Sequence, residues 1–381
     1  MSTPAAMPTA PRPPGSRHLM VVAAGTGGHV MPGLAVAELL RTRGWQVSWL
    51  GTRSGIERSL VTPLAIEFDA VPFSGLRGKG LRGAACGSVN LVRAFAASRR
   101  AMRRRAPDVV FATGGYVAVP AGAAAASRRL PFALLNADAS PQLSMRVLRP
   151  VTTTVLCGFD GAASRMAGRK GIVTGAPVRE RIAALARPEQ RLADRSGPLR
   201  LLVAGGSLGA RILNETMPAA LALMPADRRP QVLHQCGGAH VESTCAAYAQ
   251  AGVQATVRGF IEDMARCYEE ADLVVCRAGA ITVSELCAAG VAAILVPLVV
   301  STTDHQRFNA EFLASRGAAL HLPQPRFDAP TLAGLLGSLR REQILDIAVR
   351  ARSLGHPDAT AAVAAAIESL VQGRTGTTRH G

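Results

Sequence analysis

Short apolar runs recur along this chain, and most are followed by a turn of small residues and then a helical stretch. In the first half the runs fall at 19–23, 46–50, 66–71, 108–112, 132–135, 153–156 and 172–174. In the second half they fall at 199–204, 231–235, 254–257, 272–276 and 293–296. Most are apolar throughout rather than alternating, as in strands buried on both faces. Helical spacing predicts helices over 32–43, 56–61 and 212–223, and from Ile281 to the stop at Gly290. Strand alternating with helix implies parallel, doubly wound α/β sheets. The alternation pauses at Gly175-Ala-Pro-Val-Arg179, the expected hinge, and then restarts. The expected organisation is a disordered leader over 1–17, α/β domains over 18–177 and 178–372, and a disordered tail over 373–381. Within the second domain, 331–371 reads as purely helical.

A chain of 381 residues with 48% hydrophobic content is long enough for two packed cores. Its seven cysteines are scattered, with no Cys-x-x-Cys pair, which argues against a disulfide framework or a zinc site and for a reducing compartment. No apolar run approaches the ~20 residues of a membrane-spanning helix.

Charge divides the halves. Residues 1–177 carry 22 Lys and Arg against 7 Asp and Glu, whereas 178–381 carry 21 against 19. The first half therefore faces something anionic. With 4% aromatics the chain lacks the stacking platforms of single-strand nucleic-acid binders, so a membrane surface is expected and nucleic acid is not. Its centre is the stretch 73–105, with nine cations and no acidic residue. Phe73, Leu76 and Leu81 stand there among Arg77, Lys79 and Arg82, a pattern suited to an anionic headgroup layer. A loop followed by an amphipathic helix with a solvated charged face is the alternative.

Three strand-to-helix turns carry candidate chemistry. Gly25-Thr-Gly-Gly-His29 and Gly205-Gly-Ser-Leu-Gly209 each follow the first strand of a half, and Arg277-Ala-Gly-Ala280 follows the 272–276 run. Small residues at a helix N-terminus let a phosphate approach backbone amides. None is a dinucleotide fingerprint or a Walker A loop. His29 can act as a general base or simply cap and orient its loop. Glu285 can accept hydrogen bonds from a sugar or ribose hydroxyl or be only an acidic residue suited to a helix N-terminus. Asp304-His-Gln-Arg-Phe-Asn309 is a further polar cluster, in which Gln306 could reach a sugar. No Asp-x-Asp pair exists, so no metal is expected, and diphosphate charge would fall to helix dipoles and arginine.

Together Gly-Thr-Gly-Gly-His29, Ser74-Gly-Leu-Arg-Gly-Lys79, Gly114-Gly-Tyr116, Gly205-Gly-Ser-x-Gly-Ala-Arg211, Phe260-Ile261 and Arg277-x-Gly-Ala-x-Thr-Val-Ser-Glu285 resemble the MurG family. These transferases convert lipid I to lipid II in peptidoglycan synthesis. The resemblance, in register over about 19–366, implies a GT-B fold: two Rossmann-like domains facing across a deep cleft, with a helical C-terminal tail. It also implies inverting, metal-independent and cofactor-free transfer of GlcNAc from UDP-GlcNAc to the C4 hydroxyl of the lipid I muramyl sugar. By the same resemblance Thr26, Gly27 and Gly28 face the sugar nucleotide and His29 is the base. Arg179 and Ser207 lie near the diphosphate, and Ile261 reads uracil through its backbone. Ala280, Ile281, Thr282, Val283, Ser284 and Glu285 hold the nucleotide, with Glu285 on the ribose, and Gln306 contacts GlcNAc. The basic 73–105 region becomes the membrane-docking surface, on the cytoplasmic face of the bacterial inner membrane. Other cell-wall synthesis and division proteins are the further expected partners.

The chain departs from that pattern. Leu135-Asn-Ala-Asp138 replaces His-Glu-Gln-Asn, Ala176 replaces Asn, Leu208 replaces Gln and Ala278 replaces Ser. Asn136 and Asp138 are candidate substitutes for the lost substrate contacts. Another GT-B transferase with a different lipid acceptor would share the donor site and differ around 136–138. An inactive precursor-binding homologue should lack His29 or Glu285, and both are present.

Overall fold

The computed structural model describes residues 16–53, 55–72, 80–206, 208–298 and 304–377, with side chains throughout except at 80–88 and 374–377. The first sheet is built from β1 (His18–Val22), β2 (Gln46–Thr52), β3 (Glu67–Val71), β4 (Val109–Ala112), β5 (Phe132–Asn136), β6 (Thr154–Cys157) and β7 (Gly171–Val173). Between these strands run α1 (Gly27–Thr42), α2 (Glu57–Val61), α3 (Gly80–Arg105), α4 (Ala118–Ser127), α5 (Leu143–Leu148) and α6 (Ala162–Ala167). The strand order is β3-β2-β1-β4-β5-β6-β7, with every pairing parallel.

Two short helices, α7 (Glu180–Ala183) and α8 (Pro188–Arg191), lead into the second sheet. Its strands are β8 (Arg200–Ala204), β9 (Gln231–Gln235), β10 (Thr256–Arg258), β11 (Leu273–Cys276), β12 (Ala292–Leu295) and β13 (Leu320–His321). Helices α9 (Arg211–Ala222), α10 (Val241–Gln250), α11 (Met264–Glu270), α12 (Ala280–Ala289) and α13 (His305–Ala314) connect them. The chain ends in α14 (Ala329–Ser338), α15 (Arg341–Ser353) and α16 (Ala359–Thr377). This sheet is also parallel, in the order β10-β9-β8-β11-β12-β13.

The unbroken apolar runs have the expected cause. Leu19 and Val21 of β1 enter one core cluster while Met20 and Val22 enter another, because successive side chains leave opposite faces of a strand. Leu202 and Ala204 of β8 are likewise separated from Leu201 and Val203. Each sheet reverses its winding beside its first strand, between β1 and β4 and between β8 and β11. Open α/β sheets bind ligands outside the strands' carboxyl ends at such switch points.

Two expectations from the sequence change. Helix α1 begins at Gly27 rather than at Pro32, because the Thr26 carbonyl accepts from His29 N at 3.0 Å and Val30 N at 3.3 Å. The glycines thus form the helix's first turn, and Pro32 lies inside it. The C-terminal helices are interrupted near 340 and 355, and α16 leaves the second domain. Val363, Ala364, Ile367 and Val371 are buried in the first domain's core with Val36, Leu40 and Trp49. Arg43 of α1 donates to Glu368 at 2.8 Å. α16 also continues to Thr377, into the segment expected to be a disordered tail. The leader expectation for 1–15 and the tail expectation for 378–381 lie outside the described residues.

Candidate functional site

The first domain's glycine turn lies between β1 and α1, at the carboxyl end of the strand. Gly25 has φ +105°, a conformation that favours glycine, and its N–H donates to Glu57 Oε2 at 3.3 Å. Glu57 is fully buried, and its Oε1 accepts from Thr52 N at 2.7 Å and Thr52 Oγ1 at 2.6 Å. This carboxylate therefore braces the turn from beneath. Thr26 caps α1 by position and is exposed, Gly27 and Gly28 form the first turn, and a Cβ on Gly27 would meet nothing within 4 Å. That opening suits a bulky ligand above the turn.

His29 is held by the turn after β4. Its Nδ1 lies 3.2 Å from the Thr113 carbonyl, and Thr113 Oγ1 donates to the His29 carbonyl at 2.6 Å. A carbonyl only accepts, so Nδ1 carries the proton and Nε2 keeps its lone pair. Gly114, at φ +117°, leaves room for the ring: a Cβ there would lie 2.7 Å from Nδ1. Burial lowers the His29 pKa below its ordinary value, opposed by the Thr113 carbonyl and by Asp138, and reinforced by His305. A neutral imidazole with a free Nε2 is the form a general base needs.

The turn after β5 overturns one candidate. Asn136 is fully buried, and its side chain is engaged by its own loop. Nδ2 donates to the carbonyls of Asp138 at 2.7 Å and Ser140 at 3.1 Å, and Oδ1 accepts from Gln142 N at 2.8 Å. With every polar atom satisfied inside the turn, Asn136 shapes the loop rather than touching substrate. Asp138 faces the other way. Its Oδ2 accepts from Gln142 Nε2 at 2.6 Å, and its Oδ1 accepts from Asn309 Nδ2 at 2.7 Å across the cleft. Asn309 also donates to the Ala278 carbonyl at 3.0 Å and accepts from Ala139 N at 2.9 Å.

On the opposite wall α12 points its N-terminus at the cleft. The first N–H groups of a helix lack intrahelical partners, so backbone donors and the positive dipole end gather at Ala280–Thr282. Ala280 and Ile281 rest on the first domain's core, Thr282 is half-buried, and Val283 is wholly inside the second domain's core. The Ser284 hydroxyl donates to the Ala280 carbonyl at 2.9 Å. Val283 thus has no polar side-chain group for a ligand, and Ser284 has spent its hydroxyl proton and keeps only acceptor lone pairs.

Glu285 and Arg179 were expected at separate parts of the nucleotide, yet they meet. Arg179 Nε and Nη2 donate to Glu285 Oε1 and Oε2 at 2.9 and 3.1 Å. Burial raises the Glu285 pKa, and the guanidinium opposes that. Gln306 Oε1 accepts from Leu298 N at 2.9 Å. Ile261 is buried in the second domain's core below exposed Phe260. Arg277 is turned away, donating to the Val296 carbonyl at 3.1 Å and Gln324 Oε1 at 2.8 Å. Ser207, Phe73, Leu76, Arg77 and Lys79 lie outside the described residues, and Leu81 and Arg82 belong to α3 with side chains outside them. Among the described residues, no group of three or more His, Cys, Asp or Glu is placed to hold a metal ion.

The structure adds Glu57, Thr113, Gln142 and Asn309 to the site. Asn309 alone had a visible signal, as the end of the polar cluster that begins at Asp304.

Residues 19–157 match the glycosyltransferase family 28 N-terminal domain, and residues 200–356 match the glycosyltransferase family 28 C-terminal domain. A relative from Chromobacterium violaceum is 53% identical over 357 residues, spanning 93% of this chain and 99% of its own length. It is named UDP-N-acetylglucosamine–N-acetylmuramyl-(pentapeptide) pyrophosphoryl-undecaprenol N-acetylglucosamine transferase. A relative of the same name from Methylibium petroleiphilum is 53% identical over 361 residues, 93% of this chain and 98% of its own. The crystal structure of Acinetobacter baumannii MurG superposes with a TM-score of 0.79 at 37% identity, covering 93% of this chain and 99% of that one. The glycotransferase of kitacinnamycin, at 18% identity and a TM-score of 0.66, shares the fold.

Proposed function

The chain belongs to glycosyltransferase family 28, with the MurG transferases, and from that premise we propose that it moves GlcNAc from UDP-GlcNAc to the C4 hydroxyl of the lipid I muramyl sugar, giving lipid II. The observation that carries the chemistry is the His29–Thr113 contact, which leaves Nε2 as the lone pair available at the cleft. His29 Nε2 takes the proton of the acceptor hydroxyl as its oxygen bonds to the anomeric carbon. The bond from that carbon to the diphosphate breaks on the opposite face, UDP departs, and configuration inverts. Charge building on the diphosphate is met by the N-terminus of α12 and by the Arg179 guanidinium. The donor segment acts through the free backbone N–H groups of Ala280–Thr282, since Val283 N already bonds the Gly279 carbonyl at 2.9 Å. Glu285 receives the ribose on the carboxylate that Arg179 orients, and Gln306 offers its amide to GlcNAc. Backbone at Ile261 reads the base, and Ser207 is the remaining candidate for the diphosphate.

Docking on an anionic membrane surface belongs to the same proposal. α3 and α5 pack on one face of the first sheet. There α3 exposes Val89 and Val92 beside Arg93, and α5 exposes Leu143 and Val147 beside Arg146 and Arg149. Apolar side chains among cations match a headgroup layer, and each cation near an anionic surface contributes about 1 kcal/mol. Among the described residues no helix is long and apolar enough to cross a membrane.

The test is transfer of labelled GlcNAc from UDP-GlcNAc to a short-chain lipid I analogue, with EDTA present. Wild type should transfer and His29→Ala should lose nearly all turnover while still binding UDP-GlcNAc. Absence of transfer by wild type with donor binding intact would overturn the acceptor assignment.

A further inference from the structure

The turn after β5 is where this chain departs most from the resemblance that its sequence carries, and it is also where the two domains touch through a charge. Asp138 is 6% exposed, and both of its carboxylate oxygens are held. Gln142 Nε2, from the same turn, donates to Oδ2, and Asn309 Nδ2, from α13 of the other domain, donates to Oδ1. Asn309 is itself fixed at three points, since it also bonds Ala139 N and the Ala278 carbonyl, and it is fully buried. A carboxylate pinned by amides from both domains is held in one position.

That carboxylate is joined to the corner of the proposed base through Gln142, whose amide holds Asp138 Oδ2 and borders the same space beside Gly114 as the His29 ring. The charged or titratable groups acting on His29 are Asp138 from the β5–α5 turn, which raises its proton affinity, and His305 from α13, which lowers it. The Gln142 amide lies in the same corner: a Cβ on Gly114 would meet both His29 and Gln142 Oε1. The Thr113 carbonyl fixes the tautomer but brings no net charge. A histidine that accepts a proton during reaction becomes a cation, and a nearby fixed anion favours that state.

Building on the transfer reaction above, we propose that Asp138 is its positioning residue: anchored across the cleft by Asn309, it sets a negative charge against His29 and stabilises the imidazolium formed as the acceptor hydroxyl gives up its proton. The residue does not touch substrate in this role.

The proposal makes a signature that simple damage to the loop would not produce. Asp138→Asn is isosteric, and its amide oxygen still accepts from Asn309, so donor KM should stay within about twofold. Without the charge His29 is a weaker base. Then kcat at the plateau falls by about threefold, while the acid limb of kcat/KM moves to lower pH by about half a unit or more. The measurement is the pH profile of GlcNAc transfer to the soluble lipid I analogue. Asp138→Ser serves as a second neutral variant should the first be too unstable to assay. A lower plateau with an unmoved limb, or a donor KM raised as much as kcat falls, overturns the inference and leaves Asp138 a structural residue. Failure of the parent reading looks different: wild type would not transfer, or His29→Ala would keep the acid limb.

Discussion

Arg179 and Glu285 form a two-pronged ion pair, with Nε and Nη2 on the two carboxylate oxygens at 2.9 and 3.1 Å. The arginine begins the first helix after the hinge, and the glutamate lies within α12, so the pair ties the linker to the donor wall. Glu285 is almost completely buried, whereas the Arg179 side chain is 39% exposed. Solvent reaches one partner, so the pair contributes less than a fully buried one.

The geometry of that fork matters more than its charge. Arg179→Lys keeps the cation but cannot bond both oxygens in parallel. It should raise the donor KM about tenfold or more, because the carboxylate is no longer oriented for the ribose, while kcat falls less. Steady-state kinetics with UDP-GlcNAc varied at saturating acceptor checks this. An unchanged donor KM would separate Arg179 from the donor site.

Gly114→Ala tests the placement of His29 without touching His29. The added methyl would lie 2.7 Å from Nδ1, and the residue would be strained at φ +117°. The ring has to move away from the Thr113 carbonyl. Turnover should drop by on the order of a hundredfold with UDP-GlcNAc affinity nearly unchanged, since a displacement of about 1 Å at the reacting centre has that cost. Calorimetric titration with UDP-GlcNAc beside the turnover assay distinguishes this from general unfolding.

These two positions show what was legible in the sequence and what was not. Parallel strands announced themselves because strands buried on both faces need unbroken apolar runs, and β9 fell on the expected 231–235. The glycine turns were visible because runs of small residues between an apolar strand and a helical stretch mark a strand-to-helix turn. The Asp138–Asn309 bond was hidden, since its partners are 171 positions apart and meet only when two domains face each other. Asn136 was misjudged for a related reason: a polar residue at a strand end can serve the turn as well as a ligand, and only the hydrogen bonds decide. α16 was placed in the second domain because an Ala-rich helical pattern shows that a helix will pack but not on which sheet.

The apolar side chains on α3 and α5 give a membrane prediction. Replacing Val92 and Leu143 together by Asp adds two charges of the wrong sign to a surface read as meeting anionic lipid. Val92 is 67% exposed and Leu143 61%, so neither change disturbs the core. Co-sedimentation with vesicles containing anionic phospholipid should fall severalfold, whereas transfer to a soluble lipid I analogue should hold. Equal sedimentation of wild type and variant would move the docking surface elsewhere.

His234 sets an acid limit on stability, independent of the reaction. It lies fully buried on β9, with Nδ1 2.9 Å from the Tyr248 hydroxyl and Nε2 3.1 Å from Asn214 Oδ1. Burial pushes its pKa down from 6.5 to about 4. Above pH 6.5 the ring is neutral in both folded and unfolded chains and adds no pH dependence. Between 6.5 and 4 the unfolded chain binds a proton that the folded one refuses, so stability falls as pH falls through that window. Below about 4 both forms are protonated and the loss is complete, amounting to roughly 3 kcal/mol. Urea melts at intervals from pH 7 to 4 should show this decline in wild type. Comparison with His234→Gln, which removes the titrating ring, isolates it: the variant starts less stable at neutral pH and loses correspondingly less on acidification. Parallel declines in the two proteins would assign the acid sensitivity to other groups.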